Sequence, residues 1–277
     1  MPKYSLFIAR FPYGGTEDYR ITDYLVKLVT SLKKDKSLQI SDIYQKAYND
    51  TPITMTRNLA CRQALACDAD FILMIDNDIV VDYEASQPFF ESSLEFMKQH
   101  DGPCVVAAPY CGQPPHENVF IFRWRNIQSD HPSEIDFSLQ QYTREEAAIR
   151  TGIEEVAALP TGLFLMHTKV LERMTEHPWF YYEYADEYET EKASTEDVTF
   201  TRDCSLHGVP VYCNWDSWCG HVKRKIVGKP RILTADVVSR SAAAARKRGI
   251  VSGEKMTDLR PRRRKYGLPG INTTGCG

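Results

Sequence analysis

Asp68–Asp82 reads DADFILMIDNDIVVD, and the fold is decided there. Phe71-Ile72-Leu73-Met74-Ile75 is an unbroken apolar run that ends on Asp76-Asn77-Asp78, after which Ile79-Val80-Val81 resumes the apolar character. A run of this length between polar borders predicts a strand buried on both faces of a sheet. Its acidic end then falls at the C-terminal edge of the strand, where open α/β sheets bind ligands. Two carboxylates one residue apart at such an edge suit a divalent cation, and Asn77 adds a neutral polar group between them.

The flanking segments extend a β-α-β pattern. Tyr4–Ala9 reads as a first strand ending in the turn signals Pro12 and Gly14-Gly15. Apolar residues at 21, 24, 25, 28, 29 and 32 have a helical period, closed by Lys33 and Lys34 where the helix dipole favours cations. Leu38–Ile40 and Ile43 predict a weaker second strand, so the opening implies a parallel pair with a right-handed crossover. A helix capped by Thr54 or Thr56 runs to about Cys67, with Leu59, Ala60, Ala64 and Leu65 toward the sheet. That places Arg57 and Asn58 in its first turn, where free N–H groups attract anions. A further helix is expected over 87–98, followed by the strand Cys104–Ala108. The proline-bearing stretch after it, PYCGQPPHENVFIFRW, reads as a loop over a cleft. Residues 126–150 are polar and predict no more than a strand and a short helix.

Three later stretches carry chemistry. Pro160-Thr161-Gly162 is a small-residue turn feeding the buried strand Leu163–Met166, where glycine permits close backbone approach. Thr195-Glu196-Asp197 opens a helix after the aromatic and acidic segment WFYYEYAD at 179–186. Gly220-His221 follows the strand Val209–Cys213, and imidazole suits Mn²⁺ better than Mg²⁺.

Taken in this order, the motifs resemble those of family-2-like glycosyltransferases with the GT-A fold. Asp76-Asn77-Asp78 is similar to their DXD motif and Glu196-Asp197 to the ED motif of the inverting members. The resemblance covers roughly residues 4–225. It implies an α/β, Rossmann-like architecture: a mixed, mainly parallel sheet flanked by helices, one domain over 1–222 with a basic extension over 223–277. It also implies a transferase that moves sugar from a nucleotide-sugar to an acceptor hydroxyl with Mn²⁺ or Mg²⁺. Asp78 and His221 would bind the metal. Asp76 would bind metal or donor ribose. Arg57, Asn58, Asn77, Thr161 and Gly162 would line the donor site. Asp197 would be the general base and Glu196 would orient it or the acceptor. The ED motif alone leaves retention open. A sugar-phosphate nucleotidyltransferase is the other catalytic class for such a sheet, but Gly14-Gly15 is followed by Glu17 and Asp18 where a triphosphate needs cations. A binding module without turnover is the non-enzymatic alternative.

Charge is segregated. Of 277 residues with a net charge of −3, the stretch from Lys223 onward holds 15 Lys and Arg against Asp236, Glu254 and Asp258, or +12. The remainder therefore carries −15. The basic extension reads as a lid over the donor diphosphate, a surface for a polyanionic acceptor, or a solvated end. Nucleic acid is one such acceptor, since clustered Lys and Arg are the footprint of phosphate binding. A hydroxymethylated base in DNA, as modified by phage or viral enzymes of this resemblance, is the corresponding acceptor; glycan, lipid or protein acceptors stand beside it. No apolar run approaches the ~20 residues of a membrane span, and the N-terminus lacks an export signal, so a cytoplasmic protein is expected. The eight cysteines form no C-x-x-C pair and read as free, mostly buried thiols.

Overall fold

A computed structural model of the chain describes residues 3–12, 15–49, 52–113, 117–124, 139–185, 188, 191–223, 226–227 and 229. The basic extension beyond Lys229, most of the polar stretch 126–150 up to residue 138, Gly14, Pro114 and Pro115, and Cys276 lie outside the described residues.

The strands are β1 (Tyr4–Phe11), β2 (Ile40–Ala47), β3 (Phe71–Asp76), β4 (Ile79–Val80), β5 (Val105–Ala107), β6 (Phe122–Trp124), β7 (Leu139–Gln141), β8 (Ile153–Val156), β9 (Leu163–His167), β10 (Glu183–Tyr184), β11 (Lys192–Ser194), β12 (Val211–Asn214), β13 (Gly220–Val222) and β14 (Ile226–Val227). The helices are α1 (Tyr19–Lys34), α2 (Ile53–Ala66), α3 (Phe89–Gln99), α4 (Arg144–Ala148), α5 (Lys169–Arg173) and α6 (Glu196–Leu206). Seven strands form the main sheet in the order β2-β1-β3-β9-β5-β12-β8. The pairs β1–β2, β1–β3 and β5–β12 are parallel, while β9 runs against both β3 and β5, and β8 against β12. Five of the seven strands therefore share one direction, and the protein is a mixed α/β fold with helices on both faces.

β3 shows why its sequence is uniformly apolar. Phe71, Leu73 and Ile75 join the apolar layer that holds Ile21, Leu25 and Leu28 of α1 and Leu94 of α3. Ile72 and Met74 join the opposite layer with Ala60 and Ala64 of α2 and Phe200 of α6. Alternating side chains thus enter two separate cores, so neither set can be polar.

Helix bounds differ from expectation in instructive ways. α1 gains a first turn because Asp18 caps it, its side chain accepting from the Arg20 N–H at 3.0 Å. α2 starts at Ile53 behind Pro52, with no side-chain cap, rather than at Thr54 or Thr56. Its Leu59 is 40% exposed and does not face the sheet; Thr56, Arg57 and Cys61 are the buried residues instead, which carries the buried arc round to Arg57. α5 stops at Arg173. The stretch at 139–148 supplies β7 and α4, the latter closed by a Thr143–Glu146 capping box.

Two helices place chemistry by orientation alone. α2 precedes β3 and α6 precedes β12, so both run opposite to the strands that follow and bring their N-termini to the C-terminal edge of the sheet. β9 does the same for a different reason: being antiparallel to β3, it starts where β3 ends. The Thr161-Gly162 turn therefore abuts Asp76, whose N–H donates to the Gly162 carbonyl at 2.8 Å.

At the other edge of the sheet, the Cys104 backbone N–H donates to His167 Nδ1 at 3.2 Å, which requires that nitrogen to be unprotonated. Burial holds the imidazole down, from its ordinary 6.5 to about 4. The unfolded chain binds the extra proton between those values. The His167 contribution to stability is therefore complete above about pH 6.5 and is lost as pH falls toward about 4. The expected loss is on the order of 2–3 kcal/mol, allowing for partial exposure. Urea titrations at pH 7 and pH 4.5 check it: His167→Asn, which keeps an acceptor for the Cys104 N–H, is expected to flatten the difference, and an unchanged slope contradicts it.

Candidate functional site

The acidic motif straddles two sheets. Asp76 is the last residue of β3 in the main sheet, and Asp78 immediately precedes β4 in a small sheet ordered β14-β13-β4. β13 pairs His221 with Ile79, and the Val222 N–H donates to the Asp78 carbonyl at 2.6 Å, so strand register delivers His221 to Asp78. His221 Nε2 lies 3.2 Å from Asp78 Oδ2, and Lys223 Nζ donates to the same oxygen at 2.6 Å. Burial acts to raise the Asp78 carboxyl pKa, but hydrogen bonds from His221 and Lys223 outweigh it and hold the group below its usual range.

Asp76 faces the other way. Arg57 Nη2 donates to both of its oxygens at 2.9 Å, and the same nitrogen is 4.0 Å from Glu196 Oε1. Arg57 is only 3% exposed. Its guanidinium lies between the Phe11 and Phe180 rings, at 5.6 and 5.8 Å from their centroids, and its Nε and Nη1 have no partner among the described residues. Burial alone would lower the Arg57 pKa, yet Asp76, Glu196 and Asp197 raise it. Burial raises Asp76 and Glu196, with Arg57 opposing the rise in both and Asp197 adding to it. One buried cation thus gathers two acidic motifs that are remote in sequence.

Asp197 is better exposed than Glu196 and is held by its own turn. Its Oδ1 accepts from the Val198 N–H at 2.9 Å and from the Thr195 hydroxyl. Thr195 occupies the cap position of α6 but spends its hydroxyl on Asp197 instead of on the helix. The first turn of α6 is thereby a rigid mount for a carboxylate.

The remaining expected residues fall at the same edge with separate partners. Asn77 donates to the Thr16 carbonyl at 3.0 Å and its own carbonyl accepts from the Asp18 N–H at 3.2 Å, tying the loop after β1 to the acidic motif. Asn58 spends its amide on backbone: Nδ2 donates to Thr54 and Phe180 carbonyls at 2.7 and 2.8 Å, and Oδ1 accepts from the Trp179 and Phe180 N–H groups at 3.0 and 3.2 Å. Thr161 is fully buried, and its hydroxyl has no partner among the described residues. Gly162 lies against Tyr110: a Cβ there would sit 2.8 Å from the Tyr110 Cε1 and hydroxyl oxygen. The aromatic segment is half core. Trp179 and Phe180 are buried, with Phe180 stacked on Phe200 at 4.2 Å, whereas Tyr181–Tyr184 are partly exposed.

Tyr110 is the residue at this edge that sequence reasoning passes over. The signal was available in Gly162, whose need for closeness implies a bulky neighbour.

The donor set fits a metal in one part. His221 Nδ1 lies 2.8 Å from the Cys111 carbonyl and so carries a proton, which leaves Nε2, 3.2 Å from Asp78 Oδ2, as the ring nitrogen able to bind an ion. A backbone carbonyl on the other ring nitrogen is one way that ligating histidines are oriented. Among the described residues, no three His, Cys, Asp or Glu side chains gather closely enough to cage an ion. Asp78 and His221 are thus brought together, while Asp76 is drawn to Arg57. No helix among the described residues is long and apolar enough to cross a membrane.

No protein-family model matches the chain, and no curated protein does. Among solved structures, A197 from STIV is similar at a TM-score of 0.49 and 16% identity, over 83% of this chain and 96% of that one. GalNAc-T7 with UDP, GalNAc and Mn²⁺ is similar at 0.42 and 10%, over 80% and 44%. A UDP-glucose pyrophosphorylase complexed with UDP-glucose is similar at 0.38 and 9%, over 90% and 100%. At these levels the ligands and activities of those proteins do not transfer to this chain.

Proposed function

We propose that this chain is a metal-dependent glycosyltransferase that moves a sugar from a nucleotide-sugar to an acceptor hydroxyl with inversion. The observation that carries the reading is the Arg57 bridge, which sets Asp76 and Glu196 around one buried cation at the edge of the sheet. Asp78 and His221 are the direct metal ligands. A bound divalent cation supplies Lewis-acid neutralisation of the diphosphate leaving group. Asp76, held by Arg57, faces the donor nucleotide, with Asn77 and the Thr161-Gly162 turn beside it. Asp197 takes the acceptor hydroxyl proton as the acceptor oxygen bonds the anomeric carbon and the carbon–phosphate oxygen bond breaks. Glu196, whose carboxyl pKa burial raises and Arg57 holds back, orients the acceptor. The acceptor proposed from charge is anionic, with a hydroxymethylated DNA base as one form, since the segment after Lys223 is strongly basic.

The test is a panel of nucleotide-sugars read by released nucleoside diphosphate, with Mn²⁺, Mg²⁺ or chelator. Metal-dependent release from one donor is expected; no release from any, or full release in chelator, overturns the reading.

Lys223 occupies the place of a cation at Asp78. An entering metal has to displace it, at a cost of up to about 1 kcal/mol for a pair this exposed. Lys223→Met is therefore expected to tighten Mn²⁺ binding by up to about fivefold in a calorimetric titration. Weaker binding would mean that the lysine supports the ion.

A further inference from the structure

Tyr110 stands where the parts of the site meet. It follows β5 at the functional edge and is 7% exposed. Its ring is edge-on to His221 at 4.9 Å between centroids. It is flush against Gly162, where any side chain would collide with it. The charges of Asp76, Asp197, Arg57 and Asp78 all reach its hydroxyl. No group among the described residues hydrogen-bonds that hydroxyl. Although the residue is buried, its hydroxyl is not one of the polar atoms shut away without a partner, as the Thr161 hydroxyl is, so a bound group can reach it at the junction of three motifs.

The chemistry around it narrows what it can serve. Asp76, Asp78, Glu196 and Asp197 are acceptors when ionised, and Arg57 turns its Nη2 to two of them. A tyrosine phenol keeps its proton at neutral pH. It is a neutral donor among carboxylates, lying against the ring of the metal-ligating histidine. An oxygen that gains negative charge on the metal side of the reacting carbon is the group such a donor favours.

We propose that Tyr110 is a further catalytic residue, whose hydroxyl donates a hydrogen bond to the oxygen linking the donor sugar to its diphosphate. This rests on the glycosyl-transfer reading. The hydrogen bond strengthens as the carbon–oxygen bond breaks and the electron pair moves to that oxygen. The proton stays on the phenol, so no co-reactant is needed. The fit also explains the Thr161-Gly162 turn: glycine is required because Tyr110 must lie directly on it.

The experiment uses the full chain, Mn²⁺ and the donor that the wild type turns over. Tyr110→Phe keeps the ring against His221 and Gly162 and removes only the hydroxyl. We expect kcat to fall by about 10²-fold, with donor KM and Mn²⁺ affinity within about twofold of wild type. Gly162→Ala, which pushes the ring but keeps the hydroxyl, is expected to lower kcat in the same way while Mn²⁺ still binds. A Tyr110→Phe enzyme with wild-type kcat overturns the assignment and leaves glycosyl transfer standing, because the ring would then serve packing alone. A Tyr110→Phe enzyme that loses Mn²⁺ binding also overturns it, assigning the residue to support of His221. Absence of turnover by the wild type with every donor removes both readings together.

Discussion

Asp197→Asn is expected to lower kcat by about 10³-fold while donor KM and Mn²⁺ affinity stay near wild type. A positioned general base contributes about 10²–10⁴ in rate, and its loss falls on the chemical step. Asparagine is the informative replacement, since its amide oxygen can still accept from Thr195 and from the Val198 N–H that hold the carboxylate now. The mount survives and only the basicity goes. Steady-state kinetics of released nucleoside diphosphate give the comparison. If kcat survives and KM alone rises, Asp197 binds acceptor or donor and the base lies elsewhere. Thr195→Ala should be milder, because it frees the carboxylate to rotate without removing it.

Asp78→Asn is expected to abolish detectable turnover and to weaken Mn²⁺ binding by at least about 10²-fold. On the proposed assignment one of the two direct ligands is lost, which leaves His221 alone on the ion. Folding should persist: Asp78 is a partly exposed side chain whose partners are His221 and Lys223, and its backbone carbonyl still receives the Val222 N–H. A melting curve within a few degrees of wild type is therefore part of the prediction. Retained metal affinity in this variant would relocate the ion to Asp76. Asp76→Asn offers the contrast, since it leaves Arg57 facing Glu196 with its main partner neutralised and should destabilise the fold as well as the site.

The architecture is legible in the sequence wherever burial imposes a period. β3 reads as a strand because both faces are buried, and α1 because its apolar residues recur at helical spacing and its neighbours are cations. The direction of β9 is not legible. A buried strand that begins after Thr161-Gly162 has the same pattern whichever way it runs, yet its antiparallel course is what brings that turn to Asp76. Motif order placed Asp76, Asp78, Glu196, Asp197 and His221 at one edge, because helix and strand ends are countable along the chain. Pairing is different. That Arg57 bonds Asp76, that Asn58 spends its amide largely on the 179–180 backbone, and that His221 meets Asp78 and not Asp76 are facts of side-chain reach, set by packing between remote segments. Tyr110 escaped for the same reason: nothing in Pro109-Tyr110-Cys111 distinguishes it from any tyrosine in a proline-flanked loop.

The acidic motif is also a joint. Asp76 is fastened to the main sheet and Asp78 to the small one, with a single residue between them. An ion seated on Asp78 and His221 would therefore load only the small sheet. The donor, reaching from that ion to Asp76, would be the strut that couples the two. Donor and ion should then reinforce each other's binding by more than their direct contact explains. By thermodynamic reciprocity the nucleotide must tighten the ion by the same factor that the ion tightens the nucleotide. The rigidity of the loaded enzyme would belong to the ternary complex and to neither ligand alone.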